Sequence, residues 1–447
     1  MEIYIVIIFV VGYLAIALEH PIKINKTATA LVTGVLCWTL FALDVPSSSF
    51  LTSAYFTEFA NTQKALANPS QVYQLFINDE LSHNLSQIAS ILFFLIGAMT
   101  IVELIDAHQG FRFITDRIKT KDVRKMLWII CWVAFFLSAI LDNLTTAIVM
   151  VSLVRKLIQD RERRLLFAGM IIIAANAGGA WSPIGDVTTT MLWIGGQISP
   201  VPIIKTLLIP SIISLLIPVI YLSFTLKGTI ESSIEETAAD GDQDSKGGKI
   251  MLLVGIGALI FVPVFKTITH LPPYIGILLG LGVLWVVSEF INPHLDEGER
   301  KKYSAGHALS RIDTSSVLFF FGILLAVGAL ESMQTLHHFA EYLEHLIGDK
   351  KIIITLIGMF SSIIDNVPLV AACMGMYSVD VYPMDHMIWE YLAYCAGTGG
   401  SLLVIGSAAG VAVMGMEKMD FIWYLKKISF LAFTGYAAGA AAFLIVN

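Results

Sequence analysis

The chain has 447 residues, 56% of them hydrophobic and only 14% charged, with a mean hydropathy of +0.76. Soluble domains are about one quarter charged, so this composition excludes one and gives an all-α polytopic membrane protein. The net charge of −7 implies neither nucleic acid nor a soluble partner, because charges in such chains lie in loops and set orientation.

In chain order, apolar runs predict about ten spans. They lie near Ile3–Leu18, Ala28–Val45, Ile88–Ile105, Leu165–Ile198, Ile203–Leu226, Ile250–Phe265, Tyr274–Ile291, Ser315–Leu330, His386–Gly415 and Ile428–Val446. The first run has no basic leader and no Ala-x-Ala cleavage pattern, so residues 1–27 read as a span and its loop. Cys37, Cys131, Cys373 and Cys395 all lie inside apolar runs without ligand spacing and read as packing residues. A surface amphipathic helix is predicted over Asp106–Arg124 and another over Gln334–Gly348.

Lys and Arg collect at Lys23 and Lys26, Arg112–Lys125, Arg155–Arg164, Lys227–Lys249, Arg300–Arg311 and Lys418–Lys427, whereas Pro46–Asn84 holds only Lys64. Ten spans place those basic loops on one side and both termini outside. The run Met126–Leu153 has bases at both ends, Arg124 and Lys125 before it and Arg155 and Lys156 after it. It is therefore predicted as a re-entrant hairpin, residues 126–154, entering from the cytoplasm. A second hairpin, residues 351–379, enters from outside.

At the hairpin tips the chain repeats itself. Ser138-Ala139-Ile140-Leu141-Asp142-Asn143 matches Ser361-Ser362-Ile363-Ile364-Asp365-Asn366. Two spans are interrupted by glycines, and Ala174 to Asp186 aligns with Cys395 to Ser407. Leu92-Phe93-Phe94 and Leu318-Phe319-Phe320 align at nearly the same offset. This gives two inverted-topology repeats with discontinuous helices, 28–226 (hairpin 126–154, broken helix 165–198) and 250–447 (hairpin 351–379, broken helix 386–415), the architecture of secondary transporters. Between them, 227–249 is acidic and aperiodic and reads as a flexible cytoplasmic linker.

A carboxylate at membrane depth costs about 2.5–3.5 kcal/mol even on lenient scales, and handling of ions or protons is the default reason to keep one. Backbone breaks are tolerated in lipid only where they line a cavity or are buried in protein. Asp142, Asn143, Thr145, Ser182, Asp186, Thr188, Asp365 and Asn366, with freed carbonyls, supply hard oxygen donors, which suit an alkali cation. Asp142, Asp186 and Asp365 would hold Na⁺ or Li⁺, competing with H⁺ for the same acids, and that competition yields antiport. Thr145 and Thr188 read equally as interhelical hydrogen bonders. Glu103 is either proton-linked or a snorkelling span-end residue. Asp44, Glu289, Glu331 and Glu417 lie at span ends and read as interfacial.

Leu141-Asp142-Asn143-Leu144-Thr145-Thr146, the stretch Gly178 to Thr189, Asp365-Asn366-Val367-Pro368 and Gly397-Thr398-Gly399-Gly400-Ser401 resemble the NhaD-type Na⁺/H⁺ antiporters of the ion transporter superfamily. The resemblance covers nearly the whole length. It implies Na⁺ or Li⁺ exchange for H⁺ without a cofactor, a homodimer in a bacterial inner membrane, and a site at Asp142, Asn143, Thr145, Asp186, Thr188, Asp365 and Asn366 with Ser401 nearby. Related carboxylate carriers have Ser where this chain has Asp at the tips. Two alternatives are an anion carrier of the same superfamily (dicarboxylate, citrate or arsenite) and an intramembrane aspartyl protease using Asp142 and Asp186.

Overall fold

The computed structural model describes residues 2–43, 48–51, 54–62, 69–115, 120–226, 228–229, 242–291, 303–363 and 365–446. The described residues form helices joined by turns and short irregular segments, with one isolated β-bridge between Asp122 and Thr229. Among the described residues, eight helices are long and apolar enough to cross a membrane. Seven of them coincide with expected spans. The first expected span is the helix Glu2–Ala17, whose 16 residues match the expected length but fall short of these eight, and the two glycine-interrupted spans are broken, as their sequences require.

The eighth is Val123–Leu141, with 19 residues. At 1.5 Å per residue it is about 28 Å long, the thickness of a hydrocarbon core. The helix starts three residues before the expected boundary at 126, where Asp122 caps it by accepting from Lys125 N at 2.9 Å.

Three sequence expectations need correction. The predicted outer loop Pro46–Asn84 carries, from Pro69, the first half of a 39-residue helix, Pro69–Ala107. Val72, Tyr73, Phe76 and Ile77 are buried at helical spacing, but Asn78, Asp79, Glu80 and Asn84 lower its hydropathy, and hydropathy finds bilayer rather than helix. The linker 227–249 is not aperiodic to its end, because helix Asp242–Thr269 starts inside it; residues 227 and 230–241 lie outside the described residues. In Asp106–Arg124 the described residues form only one separate turn, Arg112–Thr115, between the long helix and Val123. Thr335–Ile347 is helical as expected.

The chain divides into two compact units. One comprises Met1–Leu92, Asp313–Gly348 and Ala371–Val381. Its centre is Lys26–Leu43 packed on Thr314–Ser332, where Gly34 faces Gly322 and Trp38 Nε1 donates to Leu325 O at 2.8 Å. Small residues allow such backbone approach where lipid supplies no hydrophobic drive.

The other unit comprises Phe93–Ile312, Asp349–Val370 and Tyr382–Asn447. It holds the broken helices and the acidic motifs. Two serines at matched motif positions make the same bond: Ser138 Oγ donates to Ala175 O at 2.6 Å, and Ser361 Oγ donates to Ala396 O at 2.9 Å. Gly178 lies against Phe135 O and Gly399 against Gly358 O, each so closely that a Cβ would collide with backbone. Matched sequence therefore produces matched packing.

Candidate functional site

The helix Val123–Leu141 stops at Asp142, which has φ 117° and ψ 160°. That region is essentially reserved for glycine and costs another residue about 1–3 kcal/mol. Asp142 then caps the next helix, Asn143–Leu157: Oδ1 accepts from Thr145 N and Oδ2 from Thr145 Oγ1, both at 2.8 Å. Ser, Asn or Thr would also cap, so capping alone does not explain an acid held in a strained corner.

The first broken helix runs Arg161–Ala180, turns through residues 181–186, and resumes as Val187–Ile194. Ser182 Oγ ties the turn to the strained corner by donating to Ala139 O at 2.5 Å. Asp186 caps the resumed helix, accepting at Oδ1 from Thr188 N at 3.2 Å, and Oδ2 accepts from Asn366 Nδ2 at 3.2 Å. Asp186 is 2% exposed, and among the described residues no Lys, Arg or His pairs with it. It stands within electrostatic reach of Asp365 and Asp142. Thr188 Oγ1 is buried beside that carboxylate.

The second pair of helices, Lys350–Phe360 and Asn366–Met376, has a longer corner than the first. Asp365 lies in it, half-buried, with Oδ1 accepting from Val367 N at 3.4 Å. Asn143 Nδ2 donates to Asn176 Oδ1 at 3.0 Å, and Asn176 Nδ2 donates to Ser401 Oγ at 3.2 Å and Ser407 Oγ at 3.0 Å. Asn176 and Ser407 were missed as site residues by sequence reasoning. The available signal was a lone amide in an Ala/Gly/Ile helix, since a buried amide must find partners.

The structure thus joins Asp142 with Thr145, Asp186 with Thr188 and Asn366, and Asn143 with Ser401 through Asn176. Glu103 is placed outside this set, with Oε2 at 3.4 Å from Arg311 Nε. Among the described residues no three His, Cys, Asp or Glu side chains gather tightly enough to hold one metal ion. A cation shell here must therefore draw on hydroxyl, amide and backbone oxygens as well as carboxylates.

Glu417 is a further correction. Read as interfacial, it is 4% exposed, with Oε2 at 2.7 Å from Arg164 Nε and Oε1 at 3.2 Å from Arg155 Nε. It fastens the end of the second broken helix, Ala408–Glu417, to Asn143–Leu157 and Arg161–Ala180. Glu417→Ala is expected to cost about 2 kcal/mol in thermal unfolding, less than the 3–5 kcal/mol of a fully buried pair because both guanidiniums keep some water. Glu417→Gln should retain part of that stability.

Residues 13–397 match the CitMHS family, described as citrate transporters. The chain is 49% identical over 441 residues to sodium/proton antiporter 1 of Arabidopsis thaliana, covering 99% of this chain and 72% of that protein. It is 44% identical over 443 residues to sodium/proton antiporter 2 of the same plant, covering 99% of each. The Na⁺/H⁺ antiporter NhaD of Alkalimonas amylolytica is 30% identical over 476 residues, covering 98% of this chain and 89% of that one. The chain belongs to the NhaD-type sodium/proton antiporter family. An NhaD-type chain is a multi-pass membrane transporter, not an enzyme, which removes the protease alternative. In this family the exchanged ions are cargo and no cofactor is involved.

Proposed function

We propose that the chain exchanges Na⁺, and Li⁺, for H⁺ by alternating access, using Asp142, Asp186 and Asp365 as the shared acids. The observation that carries this reading is Asp186, a carboxylate 2% exposed with no basic partner among the described residues. A buried carboxylate without a counter-ion must hold a proton or a cation. Exchange of one for the other at that oxygen is antiport. Thr188 Oγ1, buried beside it, and Thr145 Oγ1 offer neutral oxygens to a partly dehydrated Na⁺, while Asn143, Asn366 and Ser401 hold the surrounding elements in register. Glu103 acts only as a subsidiary proton-linked group through its pairing with Arg311.

The alternating step moves the hairpins and broken helices against the outer spans, with the corners at Asp142 and Asp365 as hairpin tips of the two repeats, 28–226 and 250–447. The matched serine and glycine contacts in the two halves support that symmetry. We place the chain as a homodimer in a bacterial inner membrane with both termini outside. The described family as citrate carriers keeps one second reading, a citrate or other anion carrier. Against it stand three acids, Asp142 and Asp365 at the corners and Asp186 at the break, that would repel a carboxylate substrate.

Everted vesicles carrying a respiratory ΔpH separate the two. Na⁺ or Li⁺ is expected to dissipate the gradient, and citrate to leave it unchanged. Dissipation by citrate alone, insensitive to Na⁺, would establish the anion carrier instead.

A further inference from the structure

We propose that Asn176 permanently closes one of two related cation positions, so that the chain binds a single Na⁺, at Asp186. This rests on the Na⁺/H⁺ reading above and deepens it by fixing the number of ions. The motif match pairs Asn366 with Asn143, Asp186 with Ser407, and Gly397 with Asn176. At the first position, Asn366 Nδ2 donates directly to Asp186 Oδ2 at 3.2 Å. Gly397 contributes no side chain there; a Cβ on it would lie 3.6 Å from Asp186 Oδ2. No side chain from this helix position therefore reaches the carboxylate, in contrast to Asn176 at the matched position.

The second position is built differently. The hydrogen bond from Asn143 reaches Ser407 only through Asn176, which accepts from Asn143 at 3.0 Å and donates to Ser407 Oγ at 3.0 Å. The orientation of the Asn176 amide follows from its neighbours. Ser401 Oγ spends its only proton on Thr398 O at 2.9 Å, so it presents lone pairs to Asn176 Nδ2. Ser407 Oγ already accepts from Gly410 N at 3.1 Å. The Asn176 amino group thus points both its protons at two hydroxyl oxygens, the place and the ligands that a cation would take. The Asn176 side chain uses both its amide groups and is 0% exposed, and what closes the position is the pair of N–H protons aimed at the serine oxygens. Ser407 also lacks the charge that Asp186 brings. One position is acidic, and the other is neutral and occupied by amide protons.

Counting bound ions tests this directly. The purified full-length chain in detergent is equilibrated with radioactive sodium at saturating concentration, for wild type, Asp186→Asn and Asn176→Asp. The expected counts per chain are one, none and two, because an aspartate at 176 has the shape of asparagine but returns a carboxylate to the two serines. Size-exclusion profile and thermal unfolding establish that each variant is folded. Two ions on wild type, or one retained by Asp186→Asn, would overturn the closed position, as would a folded Asn176→Asp that still binds one. No ion on wild type would overturn the exchange reading itself. The wild-type and Asp186→Asn counts decide the matter even if Asn176→Asp does not fold.

Discussion

Asp142→Gly is expected to abolish exchange while leaving the protein at least as stable as wild type. The corner at φ 117° and ψ 160° is natural for glycine, so the substitution releases about 1–3 kcal/mol of strain. It also removes the cap on Asn143–Leu157, but a glycine cap costs only about a few tenths of a kcal/mol. The balance favours a higher thermal midpoint. Exchange in vesicles should fall by about 100-fold or more, the equivalent of losing about 2.8 kcal/mol of ion binding at about 1.4 kcal/mol per tenfold. Asp142→Ala should lose on both counts, since it keeps the strain and drops the cap. Asp142→Asn keeps the cap and the shape, so its stability should be close to wild type and its exchange close to that of the glycine variant. Full exchange by the glycine variant would reduce Asp142 to a helix cap.

The second large effect is on packing. Gly178→Ala and Gly399→Ala each drive a methyl into a backbone carbonyl, that of Phe135 and that of Gly358. Backbone cannot rotate away as a side chain can, so each should cost about 3 kcal/mol, the upper part of the usual range for overpacking. Both breaks would be pushed off the helices that carry Ser138 and Ser361. Low yield of folded protein and a large fall in thermal midpoint are expected from either substitution. Gly415→Ala supplies the contrast. Its Cβ meets nothing within 4 Å, and in a helix the change should stabilise by roughly 0.5–1 kcal/mol. Equal behaviour of all three variants would contradict the close approach of the broken helices to their neighbours.

The parts of the fold that were legible in the sequence are those governed by bilayer physics. Asp142 stood out because an acid in an apolar run is expensive, and the breaks at Gly178-Gly179 and Gly399-Gly400 because lipid does not tolerate free backbone. The helix from Pro69 was not legible, since Asn78, Asp79 and Glu80 lower hydropathy without weakening a helix. Nor was the Asn176 relay, whose partners lie 33, 225 and 231 residues away in sequence; motif matching aligns residues that are equivalent, not residues that touch. The strain at Asp142 is a property of two dihedral angles and leaves no trace in residue type. Glu417 looked interfacial because its position at a span end says nothing of the two arginines that come to meet it.

The claim that one set of carboxylates serves both ions is tested most directly by proton release. Purified protein in weakly buffered detergent solution is given Na⁺, and a pH indicator reads the protons that appear. Wild type is expected to release protons on Na⁺ binding, with the apparent affinity for Na⁺ weakening as the pH is lowered, and Asp186→Asn to release few or none. Saturable Na⁺ binding without proton release, at an affinity indifferent to pH, would mean that Na⁺ and H⁺ do not share these acids.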